Sequence, residues 1–335
     1  MAEVNAVGDY IRGTMSCDSG DADVVRILKF AVQLAYVLPF GALYASFMAT
    51  ILRKRKARKM FDDSFFTLCL VDGAVTLLFL LLDISFVRMT SYIRPACEYF
   101  VPLLKDLAYY LTPYYTAYMY AQFAKMLSTL TMAINRYTSV NYPVLHKTVW
   151  VEHTSKAIAA ILLIPLLFVW PVAIARTSFV ALNGQGAIVY EHRFSWARTT
   201  FGRLLIGGST LVFTVFSGIV TTSKLSKLGT HMRKVEVPMH IATVFVSIGF
   251  VLVLILQVSY LVFDMETVTT NPGIVMIVLA LTQVCNDFYM LSGPVVLLIL
   301  DKRIRTSIFC CLRRRVDSKK ATEISVKPVT KTDTF

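Results

Sequence analysis

The sequence predicts an all-α membrane protein: a bundle of seven membrane-crossing helices, N-terminus outside, C-terminus inside, with a short amphipathic helix after the last crossing. Three observations carry this. Of 335 residues, 56% are hydrophobic and only 16% charged, too little polar cover for a surface in water. A bilayer core about 30 Å thick takes roughly 20 helical residues to cross, and seven apolar runs of that order lie between charged segments: 28–52, 64–87, 105–137, 156–180, 203–223, 238–263 and 272–300. With the N-terminus outside, the inner segments hold 23 lysines and arginines and the outer segments ten, with Lys125 inside a run, the bias that topology rules expect.

Residues 1–27 form an acidic outer segment, with Glu3, Asp9, Asp18, Asp21 and Asp23 and no apolar core of signal-peptide length. The first run therefore directs its own insertion, and RKRKARK (53–59) holds its inner end. In the second run Asp72, Thr76, Phe79 and Asp83 recur at helical steps. The third is the most polar, and Tyr115, Tyr118, Gln122, Lys125, Thr129, Met132 and Arg136 share one stripe of it. In the seventh, Gln283, Asp287, Met290 and Pro294 do the same. Polar stripes face lipid only at high cost, so these three faces are expected to converge. The second outer loop departs from the charge rule, since four of the ten outer basic residues lie between Arg176 and Arg203. The bundle is expected over 28–300.

Past Leu300, Ile304, Ile308 and Leu312 fall on one side of a helix over 301–315, which would lie on the inner membrane surface. Cys310 and Cys311 would then meet acyl chains, as palmitoylation sites or as two reduced thiols. Residues 316–335 read as disordered.

No catalytic constellation is present. The five histidines have no metal-ligand spacing, and there is no glycine-rich phosphate loop and no GxSxG elbow. The expectation is no enzyme, no metal, no cofactor and no nucleic-acid partner. Of six cysteines, only Cys17 and Cys97 face the oxidising side, where they form one disulfide or stay as two thiols.

Depth predicts one buried ion pair. At 1.5 Å per residue Lys125 lies about 16 Å from Arg136, and Asp72 about 14 Å from Asp63 at the inner end of the second run. The two should share a depth where an unpaired charge costs at least about 2.5 kcal/mol. Asp287, about one turn higher, is the rival partner, and a neutral or water-solvated lysine is the remaining reading. Asp83 and Asp287 fall in the outer half without a nearby lysine. With Tyr115, Tyr118 and Gln122 they make a candidate ligand site for a molecule carrying a cation or hydrogen-bond donors. Alternatively, Asp83 caps a helix near the headgroups and the tyrosines serve packing.

Asn135-Arg136-Tyr137, then Val140, then Pro143, at the inner end of the third of seven runs, resembles the D/E-R-Y-x-x-V-x-x-P signature of rhodopsin-like G-protein-coupled receptors. An interfacial arginine that merely anchors a helix end is the plain alternative. Asn135 replaces the family's acid, so the restraining ion pair to the arginine cannot form in the same way. Other marks are missing. Leu111 stands where the third-span cysteine would be, the sixth run lacks C-W-x-P, and Ser292-Gly293-Pro294 followed by Leu297 replaces N-P-x-x-Y.

INRYTSVNYPVLHKTVW (134–150), DFYMLSGPVVLLILDKRIR (287–305) and the Cys97 that follows Arg94-Pro95 resemble the nematode serpentine receptors of class gamma or a sister class, over about residues 28–310. The resemblance implies a chemosensory receptor in the plasma membrane of sensory cilia, taking a small-molecule ligand from outside. It implies coupling to a heterotrimeric G protein through Asn135, Arg136, Tyr137, Val140, Pro143 and Val144. It also implies that the Lys125 ammonium replaces the sodium ion that the second-span aspartate commonly holds in rhodopsin-like receptors. Receptor dimerisation stays open. The reading from a different class is a seven-span transporter or channel, which tends to show an internal repeat; no such halves are found.

Overall fold

The structure is a computed structural model that describes residues 17, 23–56, 64–104, 109–182, 185–190, 199–225, 230–262, 272–300 and 305–306. The helices are α1 (Asp23–Lys56), α2 (Ser64–Leu82), α3 (Met89–Tyr92), α4 (Arg94–Leu104), α5 (Thr112–Asn141), α6 (Pro143–Leu163), α7 (Leu166–Ala173), α8 (Thr199–Leu225), α9 (Thr230–Val262) and α10 (Pro272–Leu300). A π-helical turn, Asp83–Arg88, joins α2 to α3, so the second span is continuous from Ser64 to Tyr92. The fourth span is α6 with α7, broken at Pro165, which has no N–H to continue the ladder.

Among the described residues six spans are long and apolar enough to cross a bilayer by composition alone. The remaining one, α5, is too polar for that. It lies inside the bundle against the second, fourth, fifth and sixth spans, where its polar face finds partners. The molecule is a seven-span all-α membrane bundle.

Several boundaries differ from the sequence expectation. The third span begins at Thr112 rather than 105, with a proline in its first turn, where a missing N–H costs nothing. The second runs five residues past Val87. Residues 177–180, expected in the fourth span, instead open strand β1 (Thr177–Leu182), which pairs antiparallel with β2 (Gln185–Tyr190) in register Thr177↔Tyr190 to Leu182↔Gln185. Asn183-Gly184 stands between the strands in sequence, the dipeptide that most favours a two-residue hairpin. The expected helix over 301–315, with Cys310 and Cys311, and the tail 316–335 lie outside the described residues, apart from Arg305 and Thr306.

Three apolar clusters stack along the bundle. One, at the hairpin end, gathers Cys97, Val101, Leu111 and Phe179. The largest fills the middle around Phe79, Phe123, Phe250 and Tyr289. The third, at the opposite end, holds Phe47, Ile51, Phe65, Met239 and Leu297. The sixth and seventh spans make the most extensive helix pair, and Gly249 is the reason they come so close. A Cβ there would sit 3.0 Å from the Tyr289 Cα and 2.8 Å from the Phe288 ring.

Candidate functional site

Two buried charge clusters lie between the apolar layers. In the lower one Lys125 Nζ is 2.7 Å from Asp72 Oδ2, 2.9 Å from Oδ1 and 3.1 Å from Thr76 Oγ1, which uses all three ammonium donors. Tyr44 OH donates to Asp72 Oδ2 at 2.6 Å, and Ser128 Oγ donates to Oδ1. The lysine is 2% exposed. Its Nζ also lies 5.6 Å from the Tyr289 ring centroid, and Tyr289 OH meets Thr129 Oγ1 at 2.8 Å. A cavity of about 40 Å³ adjoins the pair, lined among others by Thr129, Met239, Pro294 and Leu297. At about 10–15 Å³ each, it has space for about two to four waters.

The upper cluster centres on Arg88, which is 1% exposed. Its Nη1 and Nη2 meet Asp287 Oδ2 and Oδ1 at 2.9 and 2.5 Å, a two-pronged pair, and its Nε donates to Asp83. Tyr36 OH donates to Asp287 Oδ2 at 2.6 Å, and Tyr118 OH to Asp83 Oδ1 at 3.3 Å. Gln33 accepts from Arg88 at 3.4 Å and donates to Tyr92 OH at 2.9 Å and Gln283 Oε1 at 3.1 Å. The first, second and seventh spans thus meet at one guanidinium, and the third joins through Tyr118 on Asp83.

The sequence reading has these two carboxylates, without a nearby lysine, receive a ligand that carries a cation or hydrogen-bond donors. Asp83 and Asp287 already share Arg88. In an α-helix, residues five apart lie about 140° round from each other. The π turn carries its bonds from i to i+5 and so brings Arg88 over Asp83. Tyr114 OH, from the third span, bonds the Leu82 carbonyl where the helix changes type. Tyr118 belongs to the cluster and stacks on Phe79 at 5.0 Å, and Tyr115 and Gln122 are half-buried on the same span. Arg88, Gln33, Tyr36 and Tyr92 are the members that the sequence reading missed.

At the hairpin end Cys17 and Cys97 are bonded, Cα–Cα 6.0 Å, across 80 residues of chain. Arg26 donates to Cys17 O at 2.7 Å and to Ser91 O at 3.2 Å. Leu111, at the place of the third-span cysteine of rhodopsin-like receptors, packs into the same cluster.

At the opposite end Arg136 is buried, with its guanidinium carbon 3.6 Å from the Phe65 ring centroid. Asn135 is fully buried and donates from Nδ2 to Ser64 Oγ at 2.9 Å, while its Oδ1 has no partner. Val140 is buried, and Tyr137 packs between Tyr142, Phe213 and Phe216 at 6.1–6.3 Å. Pro143 opens α6, and Trp150 Nε1 bonds Thr138 Oγ1 at 2.8 Å to hold the two helices at their junction. Tyr142, Val144 and Leu145 are exposed there, Val144 at 86%.

The profile described as Srg family chemoreceptor matches residues 30–308. Among curated relatives, serpentine receptor class gamma-4 of Caenorhabditis elegans is 29% identical over 295 residues, 88% of this chain and 91% of that one. Serpentine receptor class gamma-14 of the same organism is 28% identical over 307 residues, covering 90% and 89%. With seven spans, and with a match that runs from the first of them past the end of the last, the chain belongs to the Srg family of chemoreceptors.

Proposed function

We propose that this chain is a chemosensory G-protein-coupled receptor. A small ligand binds in the half of the bundle nearer the hairpin, and a heterotrimeric G protein docks at the Arg136 end. The observation that carries this is the state of Arg136. It stacks on Phe65, and the exposed Tyr142, Val144 and Leu145 follow it in the chain at the α5–α6 junction, so that releasing it would add a cation to the end of the bundle that carries this apolar platform. Asn135 cannot restrain it by charge, and its bond goes to Ser64 instead. The Cys17–Cys97 bond supports placing the hairpin end outside, because such bonds persist in oxidising surroundings. The count of basic residues points the same way.

The ligand-side residues are Tyr115, Tyr118 and Gln122, with Asp83 and Asp287 acting through Arg88. A ligand that prefers one packing of the spans shifts the bundle toward it, and a G protein that prefers the same packing is coupled to that ligand reciprocally. The place of action is the plasma membrane of sensory cilia, by family likeness.

The test is nucleotide exchange by a G protein on purified receptor. Arg136→Ala should keep surface expression near the parent level and abolish agonist-dependent exchange, whereas a joint loss of expression and exchange would reduce Arg136 to an anchor. Phe65→Ala removes a contact worth about 0.5–2 kcal/mol and should raise basal exchange. Ligand-dependent solute flux without exchange would favour a transporter instead.

A further inference from the structure

The lower cluster sets one ammonium on one carboxylate, but the upper cluster does not balance. Asp83 and Asp287 both pair with Arg88, so two carboxyl groups face one guanidinium, and all three side chains are 1–3% exposed. Fully ionised, they would bury one negative charge in excess. Burial strongly disfavours a charge without a counter-charge, and two carboxylates that share a site disfavour each other's ionisation.

Among the described residues no other cation pairs with either carboxyl group. The first span presents the neutral Gln33 and Tyr36; its Arg26 donates to the Cys17 and Ser91 carbonyls, and its Lys29 is exposed. The third span brings the phenols Tyr114 and Tyr118, and Tyr92 of the second and Gln283 of the seventh bond each other. Arg203 of the fifth span bonds Gln257 at 3.2 Å and lies against the Met119 sulfur. The two carboxyl groups are also unequally held. Asp287 receives Arg88 Nη1 and Nη2 at 2.9 and 2.5 Å and Tyr36 OH at 2.6 Å. Asp83 receives Arg88 Nε on Oδ2, and its Oδ1 faces only the Tyr118 hydroxyl at 3.3 Å, long for an O–H···O bond. Donated hydrogen bonds favour a charged carboxylate, so Asp287 is the better anion of the two.

We propose that Asp83 is a proton-binding site: at neutral pH it is a carboxylic acid, with its proton on Oδ1 and donated to Tyr118 OH. A phenol hydroxyl both donates and accepts, so Tyr118 turns to receive it. A metal cation suits the place less well, because hard cations take several oxygen ligands at once and the Arg88 and Tyr36 donors already hold Asp287. A proton needs one lone pair. It ties the second span to the third, and its loss leaves an excess charge at that seam. The site is independent of the receptor reading, since it is tested without agonist or G protein.

The experiment is infrared spectroscopy of the full chain at neutral pH, purified in a maltoside detergent that has no carbonyl of its own. A carboxylic acid C=O band with the intensity of one group, shifted in heavy water, is expected. It should vanish in Asp83→Asn. It should vanish also in Asp287→Asn, where one carboxyl group per guanidinium remains and Asp83 ionises, and it should double in Arg88→Gln, where two are left without a cation. The aspartate variants keep the guanidinium and decide the matter if Arg88→Gln does not fold. Tyr118→Phe, which removes the acceptor of the proton, should raise the frequency of the band, and Tyr36→Phe should leave it in place. The proposal is overturned by absence of the band in the parent chain, by its persistence in either aspartate variant, or by a shift in Tyr36→Phe in place of Tyr118→Phe, which would put the proton on Asp287. Loss of the band in sodium chloride but not in choline chloride would assign the excess charge to a metal cation and overturn it too.

Discussion

The two buried clusters solve the same problem with different charge balance. Around Lys125 one ammonium faces one carboxylate and every polar atom of both is bonded within two adjacent spans, apart from Tyr44 of the first. Around Arg88 one guanidinium faces two carboxylates, one from its own span and one from the seventh. The lower cluster joins neighbours, and its removal loosens them. The upper cluster closes the bundle by tying the first, second and seventh spans, and there the cation alone is indispensable.

That contrast fixes an order of effects that thermal unfolding of purified receptor can check. The largest should follow Arg88→Met, which strands two buried carboxylates. Breaking one buried pair costs about 3–5 kcal/mol, and this change should reach or exceed the upper figure. Adding Asp83→Asn and Asp287→Asn should recover much of the loss, and a triple variant no more stable than Arg88→Met would mean that packing, not charge, dominates there. Next comes Lys125→Met, expected within about 3–5 kcal/mol and less damaging when combined with Asp72→Asn. Simple additivity of the two would break the account of the lower pair.

Smaller still should be Asp83→Asn, because it leaves Arg88 and Asp287 as a balanced, two-pronged pair. A cost of about 2 kcal/mol or less is expected, the scale of one hydrogen bond to a charged group, and clearly below that of Asp72→Asn. Equal costs for the two aspartates would erase the distinction drawn between the clusters. The smallest, about 1 kcal/mol, should follow Tyr36→Phe, which deletes one donor to Asp287 and leaves the ion pairs in place.

The Lys125–Asp72 geometry was legible in the sequence because both residues lie on regular α-helix, where a rise of 1.5 Å per residue converts position into depth. Arg88 was not, because its contact depends on a π turn that breaks that arithmetic, and the apolar run in the sequence ends at Val87. The polar stripe of the third span showed which face looks inward, but not that Asp83 and Asp287 were already spoken for. The hairpin was missed although Asn183-Gly184 announced it, since the apolar residues before it extended the fourth run. Arg203 counted only as one more basic residue of an outer loop; its orientation toward Met119 and Gln257 is a matter of packing that no local pattern records.

Gly249 has a mechanical consequence. Because its bare backbone lies against that of Tyr289, the sixth and seventh spans touch there with no side chain of Gly249 between them, and any added Cβ would wedge them apart. A swing of the sixth span would then bear directly on the seventh, the span whose Asp287 grips Arg88. The absence of one methyl group thus sets how closely the two helices that could carry such a pull lie together.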